Sequence, residues 1–271
     1  MAIIDDTMYA TILENLDRIE QNHQVRILYA VESGSRAWGF ASRNSDYDVR
    51  FIYIHKPEWY LSISEKRDVI ECPITGDLDI CGWDLRKALG LFSKSNPPML
   101  EWLGSPLVYR EYDSFVNRLR GMIHKFFSPR QCMHHYLHTA RNNSKRYLSD
   151  DTVKLKKYFY ALRPMLGCIW LERHNTMPPT EFIRLYEDAE LNPVLVEAID
   201  DLMKRKIAGD ELDREQRIEV LDHFLDEQMR YYSNYVEQLP LTVVDKELLD
   251  ELFRDTLLEN FNYGYLIDNR R

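Results

Sequence analysis

The sequence predicts an α+β protein: an N-terminal domain built on a mixed sheet, residues 1–125, and then an α-helical domain, residues 126–271. Three observations predict it. Up to Trp83, short runs of branched and aromatic residues alternate with Gly, Pro and Ser punctuation, the pattern of strands and turns. After Trp83 the apolar period lengthens from two to about 3.6 residues and stays helical almost to the end. The 271 residues are enough for one large domain or two modest ones, each with its own core.

Taken in order, residues 8–22 carry apolar side chains at helical spacing and form an opening helix. Residues 25–31 are a short apolar run, a buried strand. It ends at Glu32-Ser33-Gly34-Ser35, where a short helix begins. A second strand covers residues 47–55 and stops at Lys56-Pro57; residues 67–72 and 77–83 form two more, joined by the turn Pro73-Ile74-Thr75-Gly76. Asp84 is an N-cap for the helix that follows, Asn96-Pro97-Pro98 restarts a short helix, and residues 106–110 offer an edge strand. Helices are expected at 113–125, 129–148, 152–173, 180–190, 193–208, 214–236 and 245–261. Pro164, inside the third of these, should bend the helix or shift its packing.

Composition narrows the class. Hydrophobic residues make up 45% and charged residues 29%, which suits a folded globular chain. No apolar run is long enough for a membrane span, and the N-terminus MAIIDDTMYA lacks the basic start and apolar stretch of a secretory signal. Four scattered cysteines (Cys72, Cys81, Cys132 and Cys168) read as reduced, packed thiols, so a cytoplasmic protein with no membrane partner is expected. The net charge of −9 opposes non-specific binding to long nucleic acid. It hides an asymmetry, however: residues 130–163 hold eight Lys/Arg against two acids, whereas residues 188–271 hold 21 acids against 10 Lys/Arg. A basic middle beside an acidic end suits local binding of a compact polyanion.

The segment that carries chemistry runs from Gly34 to Val49, GSRAWGFASRNSDYDV. Gly34-Ser35 follows a strand and opens a helix, presenting backbone N–H groups and a hydroxyl where the helix dipole favours an anion. Without a Cβ, Gly34 allows close approach of a phosphate. Ten residues later come Asp46 and Asp48, two apart and so on one face of a strand. Paired carboxylates repel, and a hard divalent cation relieves the repulsion. Leu78-Asp79-Ile80 offers a third carboxylate; Asp77 is the alternative, less favoured because it follows Gly76 at the solvated strand entrance.

This order resembles the DNA polymerase β-type nucleotidyltransferase superfamily. Together with DLDICGWDLRKAL and with LKKYFYALRP and its following Trp170, the segment resembles in particular the predicted RNA ligase-associated nucleotidyltransferases, over about residues 25–179. The first motif is highly specific and the helical one weaker. The resemblance implies a polymerase β-like catalytic domain in which Gly34 and Ser35 hold the β- and γ-phosphates of a nucleoside triphosphate. It also implies that Asp46, Asp48 and Asp79 bind two magnesium or manganese ions, Asp79 helping to activate the attacking hydroxyl. The implied reaction transfers a nucleoside monophosphate to an acceptor hydroxyl and releases pyrophosphate. The acceptor stays open between an RNA end, a protein side chain and a small molecule such as an aminoglycoside, with the family description favouring RNA. A non-catalytic nucleotide-binding or antitoxin-like partner protein is the alternative, which the intact carboxylates disfavour.

Other residues divide between roles. Arg36 serves equally well as a phosphate contact or as the partner of a nearby acid. Lys156, Tyr160 and Arg163 share a helix face suited to phosphate and base contacts, with Lys157 beside them, and structural pairing with acids is nearly as well supported. Cys132 with His135, and His134 with His138, share helix faces, but the zinc signal is weak without further ligands. Trp83, Trp102, Trp170 and Tyr158 read as core. Oligomeric state and the preferred base are not legible.

Overall fold

In the computed structural model, which describes residues 4–209 and 214–261, every strand expected in the N-terminal half forms within two residues of its expected bounds. Helix α1 (Asp6–His23) is capped by Asp5, whose carboxylate accepts from the Thr7 and Met8 amides, and it buries Ile12, Leu16 and Ile19. Strand β1 (Val25–Glu32) leads into the five-residue α2 (Gly34–Trp38), followed by β2 (Tyr47–His55), α3 (Pro57–Tyr60), β3 (Val69–Glu71) and β4 (Leu78–Asp84). Then come α4 (Leu85–Phe92), capped by Asp84 as expected, α5 (Pro97–Leu103), edge strand β5 (Val108–Glu111) and α6 (Asp113–Phe126).

The sheet is mixed, in the order β3-β4-β2-β1-β5. β2 runs parallel to β4, and the remaining pairs are antiparallel. Both faces are covered, which is why β1 and β2 read as near-continuous apolar runs. Along β2, Val49, Phe51 and Tyr53 pack under α1, while Ile52 and Ile54 pack with α4, α5 and α6. A register shift between Ile27 and Tyr29 exchanges the faces of β1, so that Val25 and Ile27 lie under α1 but Tyr29 and Val31 on the other side. At the middle of the sheet Gly82 pairs with Phe51, and a Cβ on Gly82 would lie 2.2 Å from the Phe51 ring. Gly82→Ala is therefore expected to destabilise the protein by about 1–3 kcal/mol through overpacking. Urea melts of the two proteins check it, and equal midpoints would contradict it.

The second half contains α7 (Pro129–Tyr147), β6 (Thr152–Lys154), α8 (Tyr158–His174), α9 (Phe182–Asp188), α10 (Pro193–Ala208), β7 (Arg214–Gln216), α11 (Glu219–Tyr235) and α12 (Glu247–Asn260). Two helices expected from the sequence start late. Residues 152–154 and 214–216 instead pair as a small antiparallel sheet, with Val153 buried in the helical core. Three-residue strands are too short to show a period of two, and their partner lies far along the chain. Pro164 does not end α8. It leaves the Tyr160 carbonyl without its helical N–H donor, and the Asn143 side-chain amide donates to that carbonyl at 2.8 Å, tying α7 to α8. Helices α7 to α11 build one core around the buried α8. The last helix leaves this core: Leu249, Leu252 and Leu257 of α12 pack with Leu28, Ile52 and Phe115 beneath the sheet. Among the described residues, no helix is long and apolar enough to cross a membrane.

Candidate active site

Two carboxylates meet because β2 and β4 are parallel and in register, pairing Asp48 with Asp79. Both are about a third exposed or less, with side-chain accessibilities of 28% and 34%. Between them lies Arg50, two residues beyond Asp48 and therefore on the same face of β2. Its Nη2 donates to Asp48 Oδ1 at 2.9 Å and to Asp79 Oδ2 at 2.8 Å, while Nη1 donates to the Val49 and Asp79 carbonyls, both at 3.1 Å. Burial pushes the Asp48 carboxyl up; Arg50 opposes this, and the nearby charges of Asp79 and Asp46 add to it. Asp77 lies outside β4, exposed, with its carbonyl accepting from the Tyr47 amide. The carboxylate that joins Asp48 is thus Asp79.

The turn after β1 is fitted against the same acid. Gly34 adopts φ +60°, and a Cβ there would lie 2.1 Å from Asp48 Oδ2. Glycine is required both by backbone conformation and by contact. The Asp48 main chain is held from both sides: its carbonyl accepts from Ser33 N–H at 2.8 Å, and its N–H donates to Glu32 Oε1 at 2.9 Å. The other Glu32 oxygen accepts from the Tyr109 hydroxyl, and burial pushes the Glu32 carboxyl up to about 7.

Arg36 is buried and, among the described residues, neither pairs with a carboxylate nor lines the cavity beside Asp48. It donates to the Ser45 carbonyl at 2.7 Å and the Asp46 carbonyl at 3.2 Å, and it stacks over the Tyr47 ring. Its geometry pins the loop that delivers Asp46, whose side chain is exposed. From the far half of the chain, Lys206 of α10 donates to Ser45 Oγ at 3.2 Å, its ammonium pushed down by burial.

A cavity of about 300 Å³ opens over these groups, lined by Gly34, Ser35, Trp38, Asp46, Asp48 and Arg50 on one side and by Lys156, Phe159, Tyr160 and Lys206 on the other. Trp38 meets Tyr160 edge-on at 5.9 Å between ring centroids. Lys157 sits outside this lining, its ammonium between the Tyr147 and Tyr160 rings. Arg163 is not brought to the cavity either. It is buried, paired with Glu101 of α5 at 2.7 Å, and lies over the Trp38 ring. The Glu101 carboxylate and the Thr180 carbonyl hold Arg163 in the interior, although its spacing along α8 aligns it with Tyr160. A larger cavity of about 850 Å³ lies between α8 and α11, but its charged lining of Glu172, Glu190, Glu219 and Glu227 contains no Lys or Arg and repels a triphosphate. Cys132 is buried in the helical core, and among the described residues no three His, Cys, Asp or Glu side chains converge as a metal cage.

Arg50, Glu32 and Lys206 escaped the reading of the sequence. Arg50 carried a signal, since it continues the Asp46, Asp48 alternation; Glu32 did too, as an acid ending an apolar strand. Lys206 carried none, because only the return of α10 brings it to Ser45.

Residues 8–255 match the family described as the RNA repair pathway DNA polymerase beta family. This chain belongs to it. The resemblance carried by the Gly34–Val49 segment holds at the level of the family, and the polymerase β-like family supports a nucleotidyltransferase-type function. An uncharacterised protein of Bacillus subtilis strain 168, YcgL, is 48% identical to this family member over 247 residues, 91% of this chain and 94% of its own. A solved structure of a nucleotidyltransferase-like protein from Exiguobacterium sibiricum 255-15 aligns over 92% of this chain and 90% of its own at 16% identity, with a TM-score of 0.30, too low to argue from.

Proposed function

We propose that the protein is a metal-dependent nucleotidyltransferase that moves a nucleoside monophosphate from a nucleoside triphosphate to an acceptor hydroxyl. The observation that supports it most is the convergence of Asp48 and Asp79 on one cationic point, directly against the Gly34-Ser35 turn. The donor set suits magnesium or manganese: carboxylate oxygens are hard ligands, and magnesium is commonly held by one or two carboxylates plus substrate phosphates, not by an all-protein cage. Asp48 and Asp79 would hold the ions, with Asp46 at the exposed edge. Two such ions, when bound, lower the pKa of the attacking hydroxyl and neutralise the leaving pyrophosphate.

The chain's own groups supply the rest. The Gly34-Ser35 turn offers backbone N–H groups and a hydroxyl to the β- and γ-phosphates. Lys156 and Lys206 face the same cavity and balance triphosphate charge. Tyr160 and Trp38 offer aromatic surface for the base. The acceptor oxygen attacks the α-phosphorus, the bond from that phosphorus to the bridging oxygen breaks, and the hydroxyl proton passes to Asp79 or to water. Asp79 suits that place because it is the more exposed of the paired acids. An RNA end is the acceptor that the family description favours; the basic segment 130–163 is compatible with it.

The direct experiment is pyrophosphate release from each of the four triphosphates with Mg²⁺, with and without total RNA, followed by locating the label. No release under any combination would overturn the proposal. A binding prediction accompanies it. Mg²⁺ and triphosphate together are expected to raise the melting temperature of the wild-type protein by more than the sum of their separate effects. Asp48→Asn is expected to abolish that synergy while leaving the apoprotein folded, because it removes a like charge. Unchanged synergy in the variant removes Asp48 from the metal site.

A further inference from the structure

The guanidinium of Arg50 stands where the proposed reaction needs a divalent cation, and this inference rests on that proposed reaction. We infer that Arg50 is a displaceable internal counterion: it holds the Asp48/Asp79 pair together in the nucleotide-free protein and yields its place to a divalent cation arriving with a triphosphate. One nitrogen, Nη2, serves both carboxylates, at 2.9 and 2.8 Å. Two acids on neighbouring strands thereby avoid an uncompensated repulsion that their register imposes.

The remaining contacts of the guanidinium make it a pivot. Nη1 is anchored on the Val49 and Asp79 carbonyls, so withdrawal of Nη2 leaves half of the fork held. Arg50 also lines the cavity, and its side chain is 19% exposed, so a phosphate oxygen can reach it. A guanidinium displaced from two carboxylates needs another anion nearby, and a triphosphate in this cavity supplies one. A metal ion alone brings no such anion and must compete with Arg50 for the same oxygens. Metal and triphosphate binding are therefore coupled through one side chain, and the empty site is kept from capturing a bare cation.

The test measures Mn²⁺ binding by the loss of the free-ion paramagnetic signal, and thermal synergy with inorganic tripolyphosphate, which needs no knowledge of the base. For the wild-type protein, weak binding of Mn²⁺ alone and clear synergy with tripolyphosphate are expected. In Arg50→Gln, Mn²⁺ alone is expected to bind roughly tenfold tighter or more, the equivalent of removing one competing charge-assisted contact. The synergy should shrink. Arg50→Lys keeps the charge but loses the fork, so it should fall between the two; it also serves as the measured variant if the Gln protein fails its circular-dichroism check. Unchanged or weaker Mn²⁺ binding in a folded Arg50 variant, while the wild type still shows synergy, overturns the counterion role and leaves the nucleotidyltransferase proposal standing. A wild-type protein that binds Mn²⁺ under neither condition overturns both.

Discussion

Arg163→Met is expected to lower the free energy of unfolding by about 3–5 kcal/mol, the cost of breaking a buried ion pair from one side. Arg163 Nη1 lies 2.7 Å from Glu101 Oε1, and the two side chains are 5% and 15% exposed. Nη2 donates to the Thr180 carbonyl at 3.2 Å, and the same Glu101 oxygen accepts from the Tyr136 hydroxyl at 2.9 Å. The pair joins α5 of the sheet-bearing half to α8 of the helical half, so methionine would strand Glu101 at their junction. Adding Glu101→Gln should recover much of the loss, since the remaining neutral amide is cheaper to bury than an unpaired carboxylate. Urea melts of the wild type, both single variants and the double variant give the coupling directly. A loss below about 1 kcal/mol for Arg163→Met would mean that the pair is solvated and that the arginine is free to serve the cavity.

Gly34→Ala should reduce triphosphate-dependent pyrophosphate release by about 10²-fold or more, the scale on which a displacement of reacting groups by an ångström is felt. The new methyl group cannot coexist with Asp48 Oδ2, which lies 2.1 Å from its position. Either the carboxylate rotates away from Asp79 or the turn withdraws from the phosphates. The left-handed conformation at φ +60° adds a stability cost of about 1–2 kcal/mol for a residue with a Cβ. Ser35→Ala removes one hydroxyl contact without touching the backbone and should cost only about 1–2 kcal/mol of triphosphate affinity. Equal and small effects of the two substitutions on both release and affinity would mean that the turn is structural.

The legible part of this protein was local. Apolar runs marked β1 and β2 almost to the residue, because strands buried on both faces read as near-continuous in apolar character, whereas β4 buries only alternate residues and was marked by the turn at Gly76 before it. The Gly-Ser turn and the alternation of Asp46 and Asp48 were also visible, since both are fixed by short-range stereochemistry. The helix spacing placed Tyr160 and Arg163 together on α8, but Lys156 precedes that helix, in the 3-10 turn Leu155–Lys157. That spacing carried no information about what faced each residue, and α8 is buried on nearly all sides.

Residue order alone thus determined the sheet-then-helix architecture, the family and the segment in which the acids lie, for each depends on neighbours within a few turns or one strand. Tertiary structure decided which acids meet and what stands between them. Register between two strands that are not consecutive in the chain set Asp48 beside Asp79 and excluded Asp77. The same register put Arg50 between the pair, burial sent Arg163 to Glu101, and α10 returned Lys206 to the Ser45 loop. These are contacts between distant parts of the chain, chosen by packing and by the need to pair charges removed from water, and no period in the sequence records them.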